Sequence, residues 1–244
     1  MGDVVGQLWA ASLACSPALR CRLIDACVVP HIDGLKGHVL QAVSRHLRAL
    51  AETDAGLVVA GRSNAEEAVN AWIALERAIA TTNPELVPLA HAFHARLASR
   101  HQSAYGALAR KQRLDLARCA RLKTEALHAA ALKAAGEGLA AAEALERISN
   151  QWRAGLPTRL PGLRAIELTG ARWFSGEGRE AFAAALLSRA ETIAGVHAAY
   201  PEDAPVHWPP NPNQDELLRF AFAAARLPAA ITAGESGEEK GTEP

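Results

Sequence analysis

The chain has 244 residues, 50% of them hydrophobic and 21% charged, and its 26 basic residues balance 26 acidic ones. This apolar content excludes a disordered chain, and four cysteines are too few for a disulfide scaffold. About 54 residues are alanine, which allows close helix packing but buries little apolar area per residue. Four tryptophans in predicted helices or at their ends are therefore expected to anchor the packing, namely Trp9, Trp72, Trp152 and Trp173.

The N-terminal region gives no targeting signal. Its uncharged stretch, residues 4–19, is shorter than the ~18–20 residues of a membrane span and lacks the basic start of a signal peptide. We therefore expect a cytoplasmic protein with no membrane association. The cysteines are then expected to be reduced and mostly buried, at positions Cys15, Cys21, Cys27 and Cys119.

Capping residues and prolines predict two helices in the first fifth of the chain. Ser16 followed by Pro17 is typical of a helix start, and Pro30 should end that helix. The next helix is predicted over residues 35–51. After it, residues 56–63 read as a turn region whose apolar run, Leu57 to Ala60, is short enough for a lone strand.

The middle of the chain is rich in helix-forming residues. Ser63 and Glu66 match a capping box, so a helix should begin there and end near residue 83. Residues 88–135 contain no proline after Pro88, which predicts either one long helix or two stacked ones with a break at Gly106.

The last third alternates between helices and loops. Helices are predicted over residues 139–153, from Ser175 to about 195, and from 213 to about 227. Between them, residues 157–174 are the least regular interior part, where Ala165 to Leu168 could be a strand or a helical turn. Five prolines between residues 200 and 213 indicate an extended loop.

Together these elements predict an all-α protein, an irregular, alanine-rich bundle of roughly eight helices. Residues 1–232 should form a single helical domain, with a sub-division near 155–174 as the alternative. Residues 233–244 read as a disordered acidic tail.

The zero net charge is a cancellation between segments. Residues 96–133 carry 9 basic against 2 acidic residues, whereas residues 51–95 carry 2 against 6 and residues 201–244 carry 3 against 8. At 100° per residue the basic side chains fall within about a 100° sector of one predicted helix, beside an apolar sector. The residues of this basic face are Arg96, Arg100, Arg110, Lys111, Arg118 and Arg121, with Arg113 nearby.

Two interpretations compete for the basic face. Solvated helices normally mix both signs of charge, so a nearly pure basic face favours contact with a nucleic-acid backbone, where arginine binds phosphate with two parallel hydrogen bonds. Alternatively the face pairs with the acidic segment 51–95 or with an acidic protein partner. The choice depends on whether the helix continues through Gly106 and whether its face is exposed.

Three residue patterns in the sequence are candidate metal sites. His91, His94 and His101 share a helix face but have no carboxylate at ligand spacing. Glu125 and His128 match the Glu-x-x-His element of di-iron bundles, which require a second such element. Cys15, Cys21 and Cys27 lack the close cysteine pair of zinc sites. We therefore expect no metal and no cofactor.

Two further segments could bind ligands or partners. Ser175, Gly176, Gly178 and Arg179 stand at a predicted helix start, where free backbone N–H groups favour anions, although a plain N-cap explains them as well. The proline-rich loop carries Tyr200, His207 and Trp208, which either cover the core or contact a partner.

No catalytic residues and no known family are recognisable in the sequence. The leading interpretation is a non-enzymatic helical subunit or accessory factor of a nucleoprotein assembly, contacting DNA or RNA backbone through the basic face. The alternatives are a protein-binding adaptor or assembly chaperone, and a helical metalloenzyme using Glu125, His128 and the histidine face. Protein partners are expected in the first two.

Overall fold

The computed structural model describes the backbone of residues 2–27, 32–81, 92–158, 160–197, 217–218, 220–222 and 224–233. These residues contain no strand, so the predicted all-α class is confirmed. Residues 217–218, 220–222 and 224 are also helical. The helices are α1 (Gly2–Leu13), α2 (Pro17–Ala26), α3 (Gly34–Asp54), α4 (Val58–Thr81), α5 (Ala92–Ala134), α6 (Gly138–Gly155), α7 (Leu163–Gly176), α8 (Glu180–His197) and the short α9 (Ala229–Thr232).

Two expectations about helix bounds are resolved directly. The Ser16 side chain accepts a hydrogen bond from the backbone N–H of Leu19, which confirms the N-cap ahead of Pro17. The long helix α5 is a single element of 43 residues and continues through Gly106. Its basic positions therefore share one helix face, as the argument from periodicity requires.

The predicted strand at residues 57–60 and the capping box at Ser63 are both wrong. Gly56 adopts a left-handed conformation with φ of +75°, and the N–H of Leu57 donates to the carbonyl oxygen of Glu52 at 2.9 Å. This Schellman motif ends α3 and lets α4 begin at Val58, so Ser63 lies inside α4. The same kind of glycine follows α5 at position 136 and α7 at position 178.

Helix α5 separates two apolar cores. Ala117 and Ala120 face a core built with α1 to α4 and the helical residues after 216. Cys119 and Leu122 face a second core built with α6, α7, α8 and α9. Residues 156–174 contribute several side chains to that second core, and the domain division near 155–174 stays a prediction.

The large aromatic side chains anchor these cores mostly as expected. Trp72 and Trp152 are fully buried, and Trp173 is also buried. Trp9 is the exception, because it is 44% exposed and its ring lies 5.5 Å from that of Phe220. The prediction that Trp9 is a core anchor is therefore wrong.

The predicted compartment and cysteine state are tested only in part. Within the described ranges, no helix combines the length and the apolar character needed to cross a bilayer. Cys27 and Cys119 are buried, whereas Cys15 is exposed and Cys21 is half-buried, so the cysteines are less uniformly buried than expected. All four are free thiols.

Gly162, which precedes α7, is expected to resist substitution. Its φ is +116°, and a Cβ added there would lie 3.0 Å from Cε of Lys123 and 3.5 Å from the ring of Trp152. We expect Gly162→Ala to lower the free energy of unfolding by about 1–3 kcal/mol, because alanine is strained at this φ and crowds its neighbours. Urea denaturation measures the change. Gly155→Ala, where an added Cβ meets nothing within 4 Å, is the matched control.

Candidate functional site

The basic face of α5 is exposed at some positions and covered at others. Lys111 is exposed, the Arg118 side chain is 45% exposed and Arg110 is half-buried. Arg113, in contrast, is only 9% exposed. A buried guanidinium has little room to reach a polymer backbone, so Arg113 is the weakest of the predicted phosphate contacts.

A single carboxylate of α4, that of Glu76, pairs with the C-terminal end of the basic face among the residues described. Nε of Arg121 lies 2.8 Å from Oε1 of Glu76, and Nε of Arg118 lies 3.6 Å from Oε2. Arg121 also donates to the Glu125 carboxylate one turn further along α5. Ion pairs within the fold thus compensate most of the charge of Arg121 and part of the charge of Arg118.

The other carboxylates between residues 51 and 81 are engaged away from the basic face. Glu52 accepts from Nε of Arg48 at 2.7 Å, and Asp54 accepts from Arg20 at 2.9 Å. Glu67 pairs with Arg45 and Glu66 lies 3.6 Å from Nε2 of His128. Within the described part of the acidic segment, therefore, four of five carboxylates do not neutralise the basic face.

Several predicted residues fall outside the part of the chain whose side chains are described. Arg96, Arg100, His94 and His101 belong to α5, but only their backbone is described. His91 and the proline-rich loop with Tyr200, His207 and Trp208 lie outside the described residues. The predictions for these residues stay predictions.

A cleft of about 400 Å³ between α4, α5 and α6 contains the Glu-x-x-His element. Burial raises the pKa of Glu125, opposed by the charge of Arg121, and burial also lowers the pKa of His128. One oxygen of the Glu125 carboxylate accepts a hydrogen bond from Arg121. Where side chains are described, no group of three metal-ligating residues comes together.

The anion-binding hypothesis for residues 175–179 assumed a helix start at Ser175, and that assumption is wrong. Ser175 and Gly176 form the end of α7, and α8 begins at Glu180. The Ser175 hydroxyl donates to the Glu180 carboxylate at 2.9 Å. Gly178, at φ of +70°, and Arg179 make the turn between the two helices. The backbone N–H groups of residues 177–179 donate to carbonyl oxygens at the end of α7, so they are not free to bind an anion.

A second cleft, missed by sequence reasoning, surrounds the buried lysine of α5. This Lys123 cleft has a volume of about 420 Å³. Lys123 itself is 7% exposed, its ammonium lies 4.5 Å from the centre of the Phe222 ring, and burial lowers its pKa. The cleft is lined by Arg20, Leu50, Asp54, Lys123, Pro161, Gly162, Ala165, Arg226, Leu227, Ala229 and Thr232.

One feature of the sequence pointed to this lysine. Lys123 lies four residues after Cys119, so its side chain is about 40° from that of Cys119 around the helix and well away from the basic face of α5. A charged side chain beside an apolar face either extends to the surface or is buried against a group that compensates its charge. The other walls of the cleft come from α2, α3, α7 and the C-terminal segment, which no local pattern brings together.

Comparison of the chain with protein-family models, with curated proteins and with solved structures gives no match.

Proposed function

We propose that this chain is a non-enzymatic helical subunit or accessory factor of a nucleoprotein assembly that contacts nucleic-acid backbone through the basic face of α5. The observation that supports it best is the excess of basic over acidic residues along one continuous helix. Residues 96–133 carry 9 basic and 2 acidic residues, and Glu76 is the one described carboxylate of α4 that reaches the basic face. The proposal includes a cytoplasmic location and protein partners within the assembly.

The residues of the basic face are not equivalent in this proposal. Lys111 is the best-placed described contact because it is exposed, and Arg96, Arg100 and Arg110 extend the same helix face. Arg121 contributes less, because it is engaged by Glu76 and Glu125. Positions 96 and 111 lie about 22 Å apart along the helix, at 1.5 Å per residue. Contacts of this kind hold the polymer by charge and read no base sequence.

Binding to short DNA and RNA duplexes, followed by fluorescence anisotropy, tests the proposal. We expect the affinity to fall steeply between about 50 and 200 mM salt, because each phosphate contact releases counterions. Lys111→Glu should weaken binding several-fold on every sequence and reduce the salt slope by about one contact. Arg118→Gln should have a smaller effect, since Glu76 already engages that side chain.

Arg22→Glu is the matched control, because it makes the same change in net charge at an exposed position of α2. Its binding should equal that of the wild type. Wild-type protein that ignores DNA and RNA at about 50 mM salt would overturn the proposal. Co-purification with a protein after nuclease treatment, together with that negative result, would favour the adaptor function instead.

A further inference from the structure

The side chains that line the Lys123 cleft carry an excess of positive charge. Three cationic side chains line it, those of Lys123, Arg20 and Arg226, against the single carboxylate of Asp54. That carboxylate is already engaged, because Asp54 accepts from Nη1 of Arg20 and from the backbone N–H of Ala229, both at 2.9 Å. The cleft is therefore suited to an anion.

The ammonium of Lys123 is the strongest sign of a missing ligand. The side chain is more than nine-tenths buried, and among the described residues no hydrogen bond or ion pair reaches its Nζ. The Phe222 ring contributes a cation–π contact but no hydrogen-bond acceptor, so the three N–H donors of the ammonium are available to a ligand in the cleft.

The start of α7 lies against the same lysine. Gly162 and Ala165 line the cleft, and no side chain caps the helix N-terminus that begins at Leu163. The absence of a Cβ at Gly162 leaves room beside Cε of Lys123. Free N–H groups at a helix N-terminus favour negatively charged oxygens, which adds to the charge of the lysine.

We propose that the Lys123 cleft binds the phosphate group of a small molecule, held by Lys123, by Arg226 and by the first turn of α7. A dianionic phosphate fits the charge better than a single carboxylate, because two cations remain after Arg20 is paired with Asp54. A volume of about 420 Å³ leaves space for a small organic group beside the phosphate. This site is separate from the basic face of α5, so either proposal can fail without the other.

Isothermal titration of the full chain with inorganic phosphate and with glycerol 3-phosphate, in a phosphate-free buffer of constant ionic strength, tests the site. We expect saturable binding of one ligand per chain. Lys123→Met should weaken it at least about tenfold, because the methionine fills the space of the stem without its charge. Tighter binding of glycerol 3-phosphate than of inorganic phosphate would identify the ligand as a phosphomonoester.

Arg22→Met is the matched control, since it removes an exposed positive charge of α2 that does not line the cleft and should leave phosphate binding unchanged. Arg226→Gln, at an exposed position, should also weaken binding and provides the test if Lys123→Met does not fold. The proposal is overturned if the wild type shows no saturable binding at millimolar phosphate, if the variants in the cleft bind as tightly, or if acetate competes as well as phosphate.

Discussion

Replacing Arg153 with methionine is expected to lower the free energy of unfolding by about 3–5 kcal/mol. The Glu167 carboxylate in α7 is fully buried and is held by Arg153 of α6 through two hydrogen bonds, of 2.6 Å from Nε and 2.8 Å from Nη2. Ser149 donates a third, at 2.6 Å. Nη2 of Arg153 also reaches the carbonyl oxygen of Arg189 in α8, so one guanidinium joins three helices.

The large effect comes from the buried Glu167 carboxylate, which the substitution leaves without its cation. Without Arg153, the buried carboxylate of Glu167 retains only the Ser149 hydroxyl as a described partner, and an unpaired charge in the interior is strongly destabilising. The double variant Arg153→Met with Glu167→Leu removes both charges and should recover most of the lost stability. Urea denaturation of the two single variants and the double variant gives the coupling energy.

Arg147→Met is the control for this cycle, because Arg147 is an exposed arginine of the same helix. Its effect should stay within about 0.5 kcal/mol. If Arg153→Met were no more destabilising than Arg147→Met, the pair would not hold α6 to α7.

Replacing His46 with alanine is expected to lower the free energy of unfolding by about 3–5 kcal/mol, from the loss of both packing and hydrogen bonds. His46, in α3, is fully buried, and its Nε2 donates to the carbonyl oxygen of Arg226 at 3.1 Å. Its Nδ1 is then an acceptor 2.7 Å from the Thr124 hydroxyl of α5, whose single proton it shares with the carbonyl oxygen of Ala120 at 2.9 Å. The ring lies edge-on to Trp72 at 6.4 Å, and so joins α3, α4, α5 and the C-terminal segment.

The burial of His46 should also make the stability of the protein depend on pH. Burial lowers the pKa of His46 from 6.5 to about 3, so between these values the unfolded chain binds a proton that the folded chain does not. Its contribution to stability is complete above pH 6.5 and is lost progressively as the pH falls towards 3, by up to about 1.4 kcal/mol per pH unit.

Comparing the His46→Ala variant with the wild type isolates the effect of the proton that His46 binds in the unfolded chain. The stability difference between wild type and His46→Ala should narrow as the pH falls from 6.5 to 4, because the variant has no imidazole at this position. His38→Ala, a change at a half-buried histidine of the same helix, should leave the wild-type pH dependence in place. A stability difference for His46→Ala that stays constant over this range would show that the ring is not held neutral by the fold.

Local signals predicted the helices well where one residue type decides the backbone. Ser16 and Pro17 begin α2 as expected. The lack of proline between residues 89 and 135 predicted either one long helix or two stacked ones, and the single helix is found. The errors at Leu57 and Ser63 have one cause. A left-handed glycine can end one helix and allow the next to start within two residues, whereas the sequence alone leaves the length of the turn open.

The functional surfaces divide in the same way. The nearly pure charge of the basic face was readable from sequence, because helical periodicity is local. Its pairing with Glu76 was not readable, since that contact joins residues more than 40 positions apart. The Lys123 cleft was missed for the same reason, because its walls come from α2, α3, α5, α7 and the C-terminal segment.

The sequence by itself determined the all-α class, most helix positions and the uneven distribution of a net charge of zero. These properties follow from local capping, periodicity and composition, which act over a few turns of a helix. The tertiary structure alone decided which charges meet, placing Glu76 against α5, Arg153 against Glu167, and Lys123 beside the Phe222 ring in a cleft. Those pairings depend on how the helices pack. Packing sets the distance between two charges and the dielectric around them, and these determine the strength of the interaction.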